Sequence, residues 1–261
     1  MQQRALITGA GARLGQAMAV YLAGRGFDVA VHYASSVDGA QETVAKIREL
    51  GRNAEVLQAD LLDLDQCETL VDRARELLGG DITCLVNNAS IFEYDTLETA
   101  TRETWDRHMM SNFHAPFILT QKFAAQVPDL DPKSVAGKKL MIVNMVDQRV
   151  RKLTPEFMTY SLAKQALWNL TQTSAQALAP RIRVNAIGPG TTLKGLRQTD
   201  EHFASQRRRS LLERGADVSD ITAALGYFLD AQAVTGQLLC VDGGQHLTWK
   251  TRDIIGDIGN N

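Results

Sequence analysis

Tyr160 and Lys164 form a pair whose residue types and spacing could do chemistry. Residues four apart on an α-helix project from one face, so the phenol and the ammonium would lie together. A positive charge beside a phenol favours the phenolate and lowers the tyrosine pKa towards neutrality. The pair therefore predicts a proton donor or acceptor that works near neutral pH. Thr154 and Pro155 predict the helix start, with threonine as N-cap and proline at the first helical position.

A glycine-rich turn follows the first apolar run and leads directly into a helical pattern. Its sequence is Thr8-Gly9-Ala10-Gly11-Ala12-Arg13-Leu14-Gly15. Glycines let a backbone turn tightly and approach a pyrophosphate, whose charge then lies on the free amides of the helix start. The spacing departs from the usual G-x-G-x-x-G. Its position between a strand and a helix nevertheless predicts a dinucleotide-binding turn.

The end of the second strand candidate indicates which dinucleotide. A site for NAD places Asp or Glu there to hold the ribose 2′-hydroxyl. This chain has His32-Tyr33-Ala34-Ser35-Ser36 and no carboxylate. Ser35, Ser36 and His32 could donate hydrogen bonds to a 2′-phosphate, and Arg13 could supply charge. The run favours NADP(H), although these residues could also simply end a strand.

The elements that must position these residues alternate along the chain. Helical patterns separate seven apolar strand candidates: Ala5–Thr8, Asp28–Tyr33, Glu55–Gln58, Ile82–Asn87, Leu140–Met145, Arg183–Ile187 and Leu238–Val241. Such alternation predicts an α/β fold, a single doubly wound Rossmann-type domain over residues 1–261 with about seven parallel strands and helices on both faces. The least regular stretch, about 191–215, is either a lid over the substrate or a surface loop.

Composition narrows the class of partner. The chain of 261 residues is 44% hydrophobic and 22% charged, with a formal net charge of −2. Nothing in this balance suggests nucleic acid or an anionic membrane as partner. Cys67, Cys84 and Cys240 lack the paired spacing of a zinc site, so no metal is predicted. The sequence opens on a strand pattern and has no apolar run of ~18 residues, which predicts a cytoplasmic protein.

Several short motifs recur in the order found in the short-chain dehydrogenase/reductase family, which this chain resembles from Ala5 to about Leu247. They are the glycine turn, Asn87-Asn88-Ala89, Asn112, Tyr160-x-x-x-Lys164, Pro189-Gly190 and Val241-Asp242-Gly243-Gly244. The resemblance implies that Lys164 also holds the nicotinamide ribose and that Asn112 anchors a proton-relay water. It further implies a homotetramer in which helices around Asn112 and Tyr160 pack between subunits.

The same resemblance implies a cofactor site for NADP(H). Its members would be Gly9, Arg13, Leu14, Gly15, His32, Tyr33, Ser35, Ser36, Asp60, Leu61, Asn88, Ala89, Ser90, Lys164, Pro189, Gly190 and Thr192.

One position departs from most of the family. Asp147 stands thirteen residues before Tyr160, where most members carry a serine that holds the substrate oxygen. A carboxylate repels a developing alkoxide, so Asp147 suits a nitrogen heterocycle better, since a carboxyl can hydrogen-bond to ring nitrogens or help protonate them. Alternatively, Asp147 marks a weak or inactive enzyme.

Further departures agree with Asp147. Arg13 stands where the family usually has glycine, Ser90 replaces the glycine of the asparagine motif, and Phe92 follows. This set resembles the pteridine reductase branch, including bacterial dihydromonapterin and dihydrofolate reductases. The resemblance implies that Arg13 contacts cofactor phosphate and pterin, that Ser90 touches both ligands, and that Phe92 stacks the pterin against the nicotinamide.

The combined interpretation is an NADPH-dependent oxidoreductase that transfers hydride to a C=N bond of a pterin. Tyr160, tuned by Lys164 and assisted by Asp147, would supply the proton. An alternative is a short-chain reductase of a ketone, quinone or other carbonyl substrate, with another role for Asp147. A third hypothesis, from a different class, is a regulatory protein that binds NADPH without catalysis.

Overall fold

The computed structural model describes residues 2–126, 140–195 and 198–251. Seven strands form one sheet with the order β3-β2-β1-β4-β5-β6-β7, and every neighbouring pair is parallel. They are β1 (Arg4–Ile7), β2 (Asp28–Tyr33), β3 (Ala54–Gln58), β4 (Cys84–Asn87), β5 (Met141–Met145), β6 (Arg183–Pro189) and β7 (Leu238–Val241). Each predicted strand is present within two residues at either end.

Helices cover both faces of the sheet. They are α1 (Arg13–Gly24), α2 (Val37–Glu49), α3 (Leu64–Leu78), α4 (Arg102–Met109), α5 (Ala115–Ala125), α6 (Met158–Leu178), α7 (Asp200–Arg208) and α8 (Val218–Asp230). On β1, Ala5 and Ile7 pack into one hydrophobic cluster and Leu6 packs into the other. Strands buried on both faces read as continuous apolar runs, which is why they were visible in the sequence. The predicted fold class is confirmed.

The strand order reverses between β1 and β4, which creates a crevice at their carboxyl ends. Thr8 joins the two sides, because its hydroxyl oxygen accepts hydrogen bonds from the backbone N–H of Asn88 at 2.9 Å and of Ala89 at 3.0 Å. In open α/β sheets, this switch point is where ligands bind. Sequence reasoning did not single out Thr8.

The predicted start of α6, with Thr154 as N-cap and Pro155 as the first helical residue, is wrong by three residues. Phe157 has φ +54° and ends the preceding loop in a left-handed conformation, so the helix begins at Met158. The Thr154 hydroxyl does not cap a helix. It accepts a hydrogen bond from Arg149 Nη1 at 2.9 Å and lies 3.3 Å from the Glu156 carbonyl oxygen, to which it donates.

The irregular stretch predicted at 191–215 contains a helix. Thr199 caps α7 by accepting a hydrogen bond from the His202 backbone N–H at 3.2 Å, and acidic residues occupy the first turn. A capping threonine followed by Asp200 and Glu201 is a helix-start signal that could have predicted α7 from the sequence.

Among the described residues, no helix is both long and apolar enough to cross a bilayer.

Candidate active site

The glycine turn lies at the carboxyl end of β1, and its glycine positions leave no room for a Cβ atom. Gly9 has φ +65°, and a Cβ added at Gly15 would come within 2.1 Å of the Gly9 carbonyl oxygen and 2.6 Å of Asn88 Nδ2. The N-cap of α1 is Ala12, which makes no side-chain capping bond. The first amides of α1 are therefore available to an anion, and the turn fits a pyrophosphate.

We expect Gly15→Ala to weaken NADPH binding. Forcing a methyl group into this contact costs about 1–3 kcal/mol, which corresponds to a dissociation constant about 5- to 150-fold higher. Gly24→Ala is the matched control, because it lies on the same helix and its added Cβ would meet nothing within 4 Å. Fluorescence titration with NADPH measures both variants. Equal affinity of Gly15→Ala and Gly24→Ala would contradict the role of the turn.

Arg13 links the glycine turn to the segment after β6. It has φ +53°, and its guanidinium donates hydrogen bonds to the carbonyl oxygens of Lys194 at 3.0 Å and Leu193 at 3.3 Å. The structure therefore brings Arg13 to the boundary between the turn and the region predicted to cover the substrate. Its contacts with cofactor phosphate and pterin stay predictions, since the partners of its guanidinium in this structure are backbone carbonyls.

His32 does not have the predicted role. Its Nδ1 accepts a hydrogen bond from the Gly9 N–H at 3.0 Å, so the proton lies on Nε2, which donates to the Ala59 carbonyl at 3.1 Å. Burial lowers the pKa of His32 to about 4 and keeps the ring neutral. Because both ring nitrogens are already bonded, His32 has no donor for a 2′-phosphate. It holds the glycine turn in place, while Ser35 and Ser36 remain exposed.

The buried neutral His32 predicts a pH-dependent stability. A folded-state pKa of about 4 against 6.5 means that the stabilisation is complete above pH 6.5 and is lost as the pH falls towards 4. The loss is about 3 kcal/mol. We expect the free energy of unfolding, measured by urea titration, to fall more steeply over this range in the wild type than in His32→Gln. Parallel pH dependences in the two proteins would contradict this assignment.

The other predicted cofactor residues share one edge of the sheet, at the carboxyl ends of its strands. Tyr33 ends β2, Asp60 and Leu61 follow β3, Asn88, Ala89 and Ser90 follow β4, and Pro189, Gly190 and Thr192 lie at the end of β6 or just beyond it.

Asp147 and Tyr160 meet at the carboxyl end of β5. The Tyr160 hydroxyl donates a hydrogen bond to Asp147 Oδ2 at 2.9 Å, and the Arg149 backbone N–H donates to Asp147 Oδ1 at 2.8 Å. Both carboxyl oxygens are thus fixed in direction. The phenol of Tyr160 is therefore hydrogen-bonded to a partly buried carboxyl group, and the Arg149 backbone holds that carboxyl group independently.

The predicted effect of Lys164 on Tyr160 is wrong. Burial, followed by the charge of Asp147, raises the pKa of Tyr160 well above its usual value. Burial lowers the pKa of Lys164 to about 8, and its ammonium donates a hydrogen bond to the Met145 carbonyl at 2.8 Å. Burial also raises the pKa of Asp147. Tyr160 therefore keeps its proton at neutral pH and is a donor in this state.

Asn112 positions the loop that follows β4. Its Oδ1 accepts a hydrogen bond from the Ile91 N–H at 2.8 Å, and its Nδ2 donates to the Ile91 carbonyl at 2.8 Å. Ile91 lies between Ser90 and Phe92, so this amide clamp sets the direction of both neighbours. Asn112 itself sits in a π-helical turn, Met110–His114, between α4 and α5. The hydrogen bonds of its side chain therefore go to this loop, and the Ser90 hydroxyl donates to the same Ile91 carbonyl oxygen at 3.3 Å.

Phe92 presents a flat apolar surface beside this pair. Its side chain is 54% exposed, stacks on Phe157 with centroids 4.3 Å apart and planes 5° apart, and meets Tyr160 edge-on at 4.7 Å. The Arg149 guanidinium lies 4.8 Å from the centre of the Phe157 ring. Sequence reasoning missed Phe157 and Arg149, and only their closeness in sequence to Tyr160 and Asp147 could have indicated them.

Residues 3–204 match the sequence model of the short chain dehydrogenase family. The chain belongs to this family. Among solved relatives of this short-chain dehydrogenase is FolM alternative dihydrofolate reductase 1 from Brucella suis, in complex with NADP. That structure is 41% identical, with a TM-score of 0.89, and the match covers 96% of this chain and 98% of the other. The predicted cofactor, NADP(H), agrees with the NADP bound in that FolM structure.

Curated relatives of this short-chain dehydrogenase include reductases of different substrates. Pteridine reductase 1 from Leishmania tarentolae is 30% identical, and the match covers 94% of this chain and 96% of the relative. The 3-oxoacyl-[acyl-carrier-protein] reductase FabG from Staphylococcus epidermidis is 28% identical, and the match covers 95% of this chain and 100% of the relative.

Within residues 2–126, 140–195 and 198–251, no group of three or more His, Cys, Asp or Glu is placed to hold a metal.

Proposed function

We propose that this protein is an NADPH-dependent reductase of a C=N bond in a pterin, which could be a dihydropterin, dihydromonapterin or a dihydrofolate-like compound. The observation that carries the proposal is the hydrogen bond from Tyr160 to Asp147 beside the exposed ring of Phe92. A flat nitrogen-containing ring requires both features, because it needs a stacking surface and a proton source directed at its edge.

The charge of Asp147 distinguishes between substrates. Carbonyl reduction develops negative charge on an oxygen, and a carboxylate in that position opposes it. Reduction of a C=N bond requires a proton at nitrogen. A carboxyl group whose pKa is raised by burial can hydrogen-bond to such a nitrogen and share a proton with it. Asp147 therefore fits the second reaction better than the first.

The glycine turn and the first amides of α1 would hold the cofactor phosphates, and Lys164 would hold the ribose next to the nicotinamide. The bound cofactor supplies hydride to the substrate. Lys164 is buried beneath the site with its ammonium on the Met145 carbonyl, so it is already oriented before any ligand arrives.

Tyr160 would deliver the proton. Its high pKa keeps the hydroxyl protonated, and the proton is directed at Asp147, within the rim formed by Ser90 and Phe92. A substrate nitrogen seated against Phe92 would replace Asp147 as acceptor, while the Arg149 amide holds the carboxyl in place. Acid–base assistance of this kind contributes about 10²–10⁴-fold. The region 191–215, which Arg13 contacts, would close over the substrate.

A second candidate function is the reduction of a ketone, quinone or other carbonyl, and the FabG relative favours it. The dihydrofolate reductase and pteridine reductase relatives favour the first. The two functions differ in what happens at Asp147, so kinetics can separate them.

The test is a substrate panel with NADPH absorbance as readout. It contains dihydrobiopterin, dihydromonapterin and dihydrofolate on one side, and a 3-oxoacyl thioester, a quinone and an aromatic ketone on the other. We expect kcat/KM to be highest for a member of the pterin group. Strong carbonyl turnover without pterin turnover would establish the second candidate function. Tight NADPH binding without turnover of any of these substrates would contradict both candidates.

The protein would act as a cytoplasmic homotetramer. Trp105 on α4, Phe117 on α5 and Leu162 on α6 are large apolar side chains that remain exposed on the helices around Asn112 and Tyr160. Apolar exposure on neighbouring helices is typical of a surface that packs against another subunit. Light scattering after size-exclusion chromatography measures the mass, and a monomer would overturn this part of the proposal.

A further inference from the structure

A buried polar network lies behind the site and has no role in the reaction described above. It consists of Asp95 in the loop after β4, His108 on α4 and Thr159 on α6, all of them at most 2% exposed. The side chains come from three separate elements and meet next to Tyr160, whose ring centre is 6.0 Å from that of His108.

The hydrogen bonds of this network run in one direction. The Glu93 backbone N–H donates to His108 Nε2 at 3.1 Å, so the proton of the neutral ring is on Nδ1. That N–H then donates to the Thr159 hydroxyl oxygen at 2.7 Å. The Thr159 hydroxyl uses its own proton to donate to Asp95 Oδ2. Each side chain has the partner that its chemistry requires.

Asp95 also supplies the cap that α6 lacks. The N-cap residue Phe157 makes no side-chain capping bond, and no acidic residue lies in the first turn of the helix. Asp95 Oδ1 accepts a hydrogen bond from the Thr159 N–H at 3.1 Å, and the Asp95 carbonyl oxygen accepts one from the Met158 N–H at 3.4 Å. A carboxyl group at the amino end of a helix is favoured by both the free amides and the helix dipole.

We propose that Asp95, His108 and Thr159 are positioning residues that hold Tyr160 in a fixed place relative to the loop carrying Ser90 and Phe92. Tyr160 directly follows Thr159, and Phe92 directly precedes Glu93, so the network joins the proton donor to the aromatic surface. The inference rests on the proposed function of Tyr160 as proton donor. Displacements of about 1 Å at such groups can lower rates about 100-fold.

The network also makes this arrangement sensitive to acid. Burial lowers the pKa of His108, and Arg107 acts in the same direction, while Asp95 and Glu93 oppose them. Tyr160, which is titratable but uncharged, also packs edge-on against the His108 ring. Protonation of His108 would put a second N–H against the Glu93 N–H, and two donors cannot bond. Below the lowered pKa the hydrogen bond between the Glu93 N–H and His108 would therefore be lost, and the Glu93–Arg107 ion pair would be left to join the loop to α4.

Thr159→Val tests the network, because it removes the hydroxyl with almost no change in shape. We expect kcat to fall about 10- to 100-fold, with KM and NADPH affinity essentially unchanged, and the acid limb of the pH–rate profile to move. Thr159→Ser keeps the hydroxyl and should retain activity. Thr120→Val is the matched control, since Thr120 is buried and its hydroxyl has no hydrogen-bond partner among the described residues. Wild-type kcat and pH profile in Thr159→Val would overturn the proposal.

A second measurement needs no substrate and so separates this inference from the pterin proposal. Nitrogen-15 NMR of the wild-type protein, with signals assigned through the loss of one set in His108→Gln, reports the His108 tautomer and its titration. We expect a neutral ring with the proton on Nδ1 at pH 7 and a midpoint below the ordinary histidine pKa. A proton on Nε2, or an ordinary midpoint, would refute the network. If only a carbonyl substrate is turned over, the Thr159 variants are assayed with that substrate.

Discussion

Asp147→Ser is expected to lower kcat/KM for pterin reduction by about 10²–10⁴-fold while carbonyl reduction is retained or improved. Serine removes the carboxyl group that accepts the Tyr160 hydrogen bond at 2.9 Å, and with it the group that can share a proton with a ring nitrogen. A neutral hydroxyl does not repel a developing alkoxide. Steady-state kinetics gives kcat/KM of the variant relative to the wild type, once for the pterin substrates and once for the carbonyl substrates.

Asp147→Asn is the control for shape. The amide has the size of the carboxyl group, and its single oxygen can still accept from the Arg149 N–H, but its NH2 group then faces Tyr160 and it cannot act as an acid. If the carboxyl group is needed for its proton, the two variants lose pterin reduction alike. Full pterin activity in Asp147→Asn would show that Asp147 acts only through its shape and does not share a proton with the substrate.

The sequence predicted the sheet well because the strands are buried on both faces. A run such as Ile142-Val143 is apolar whichever face it meets, so its pattern does not depend on the neighbouring element. The start of α6 depended on a contact that spacing does not reveal. Thr154 is bonded to Arg149, and the left-handed conformation of Phe157 delays the helix to Met158.

The residues Phe92, Asp147 and Tyr160, which the sequence singled out, lie together in the structure, but the sequence did not reveal the partners of the other predicted residues. His32 was predicted to face the cofactor, yet Gly9 in the glycine turn and Ala59 just after β3 occupy both of its nitrogens. Lys164 was predicted to lower the pKa of Tyr160, yet burial of the phenol outweighs any such effect. Burial is a property of the assembled fold, so residue spacing could not reveal it.

The positioning network could not be predicted for the same reason. Asp95, His108 and Thr159 are 64 residues apart at the widest pairing and match no motif. Asn112 illustrates the intermediate case. The resemblance implies that Asn112 anchors a proton-relay water, which stays a prediction, and its side-chain contact with Ile91 becomes visible only when the loop after β4 is seen against the π-helical turn.

Tyr160→Phe is expected to lower kcat by about 10²–10⁴-fold and to leave NADPH affinity unchanged. Phenylalanine keeps the edge contacts with Phe92 and His108, so the pocket retains its shape and only the proton is lost. Single-turnover oxidation of NADPH measures the chemical step directly. Tyr94→Phe is the matched control, since Tyr94 contacts Phe157 edge-on with centroids 5.2 Å apart and its ring would remain. A wild-type rate in Tyr160→Phe would exclude Tyr160 as the proton donor.

The double variant Tyr160→Phe with Asp147→Asn then decides whether the two residues act as one unit. Groups that serve the same step are strongly non-additive, so the double variant should be no slower than the worse single variant. Additive losses would mean that phenol and carboxyl act at separate steps. Because the hydroxyl proton points at the carboxyl oxygen, the geometry favours the first outcome, in which removal of either group breaks the one hydrogen bond that joins them.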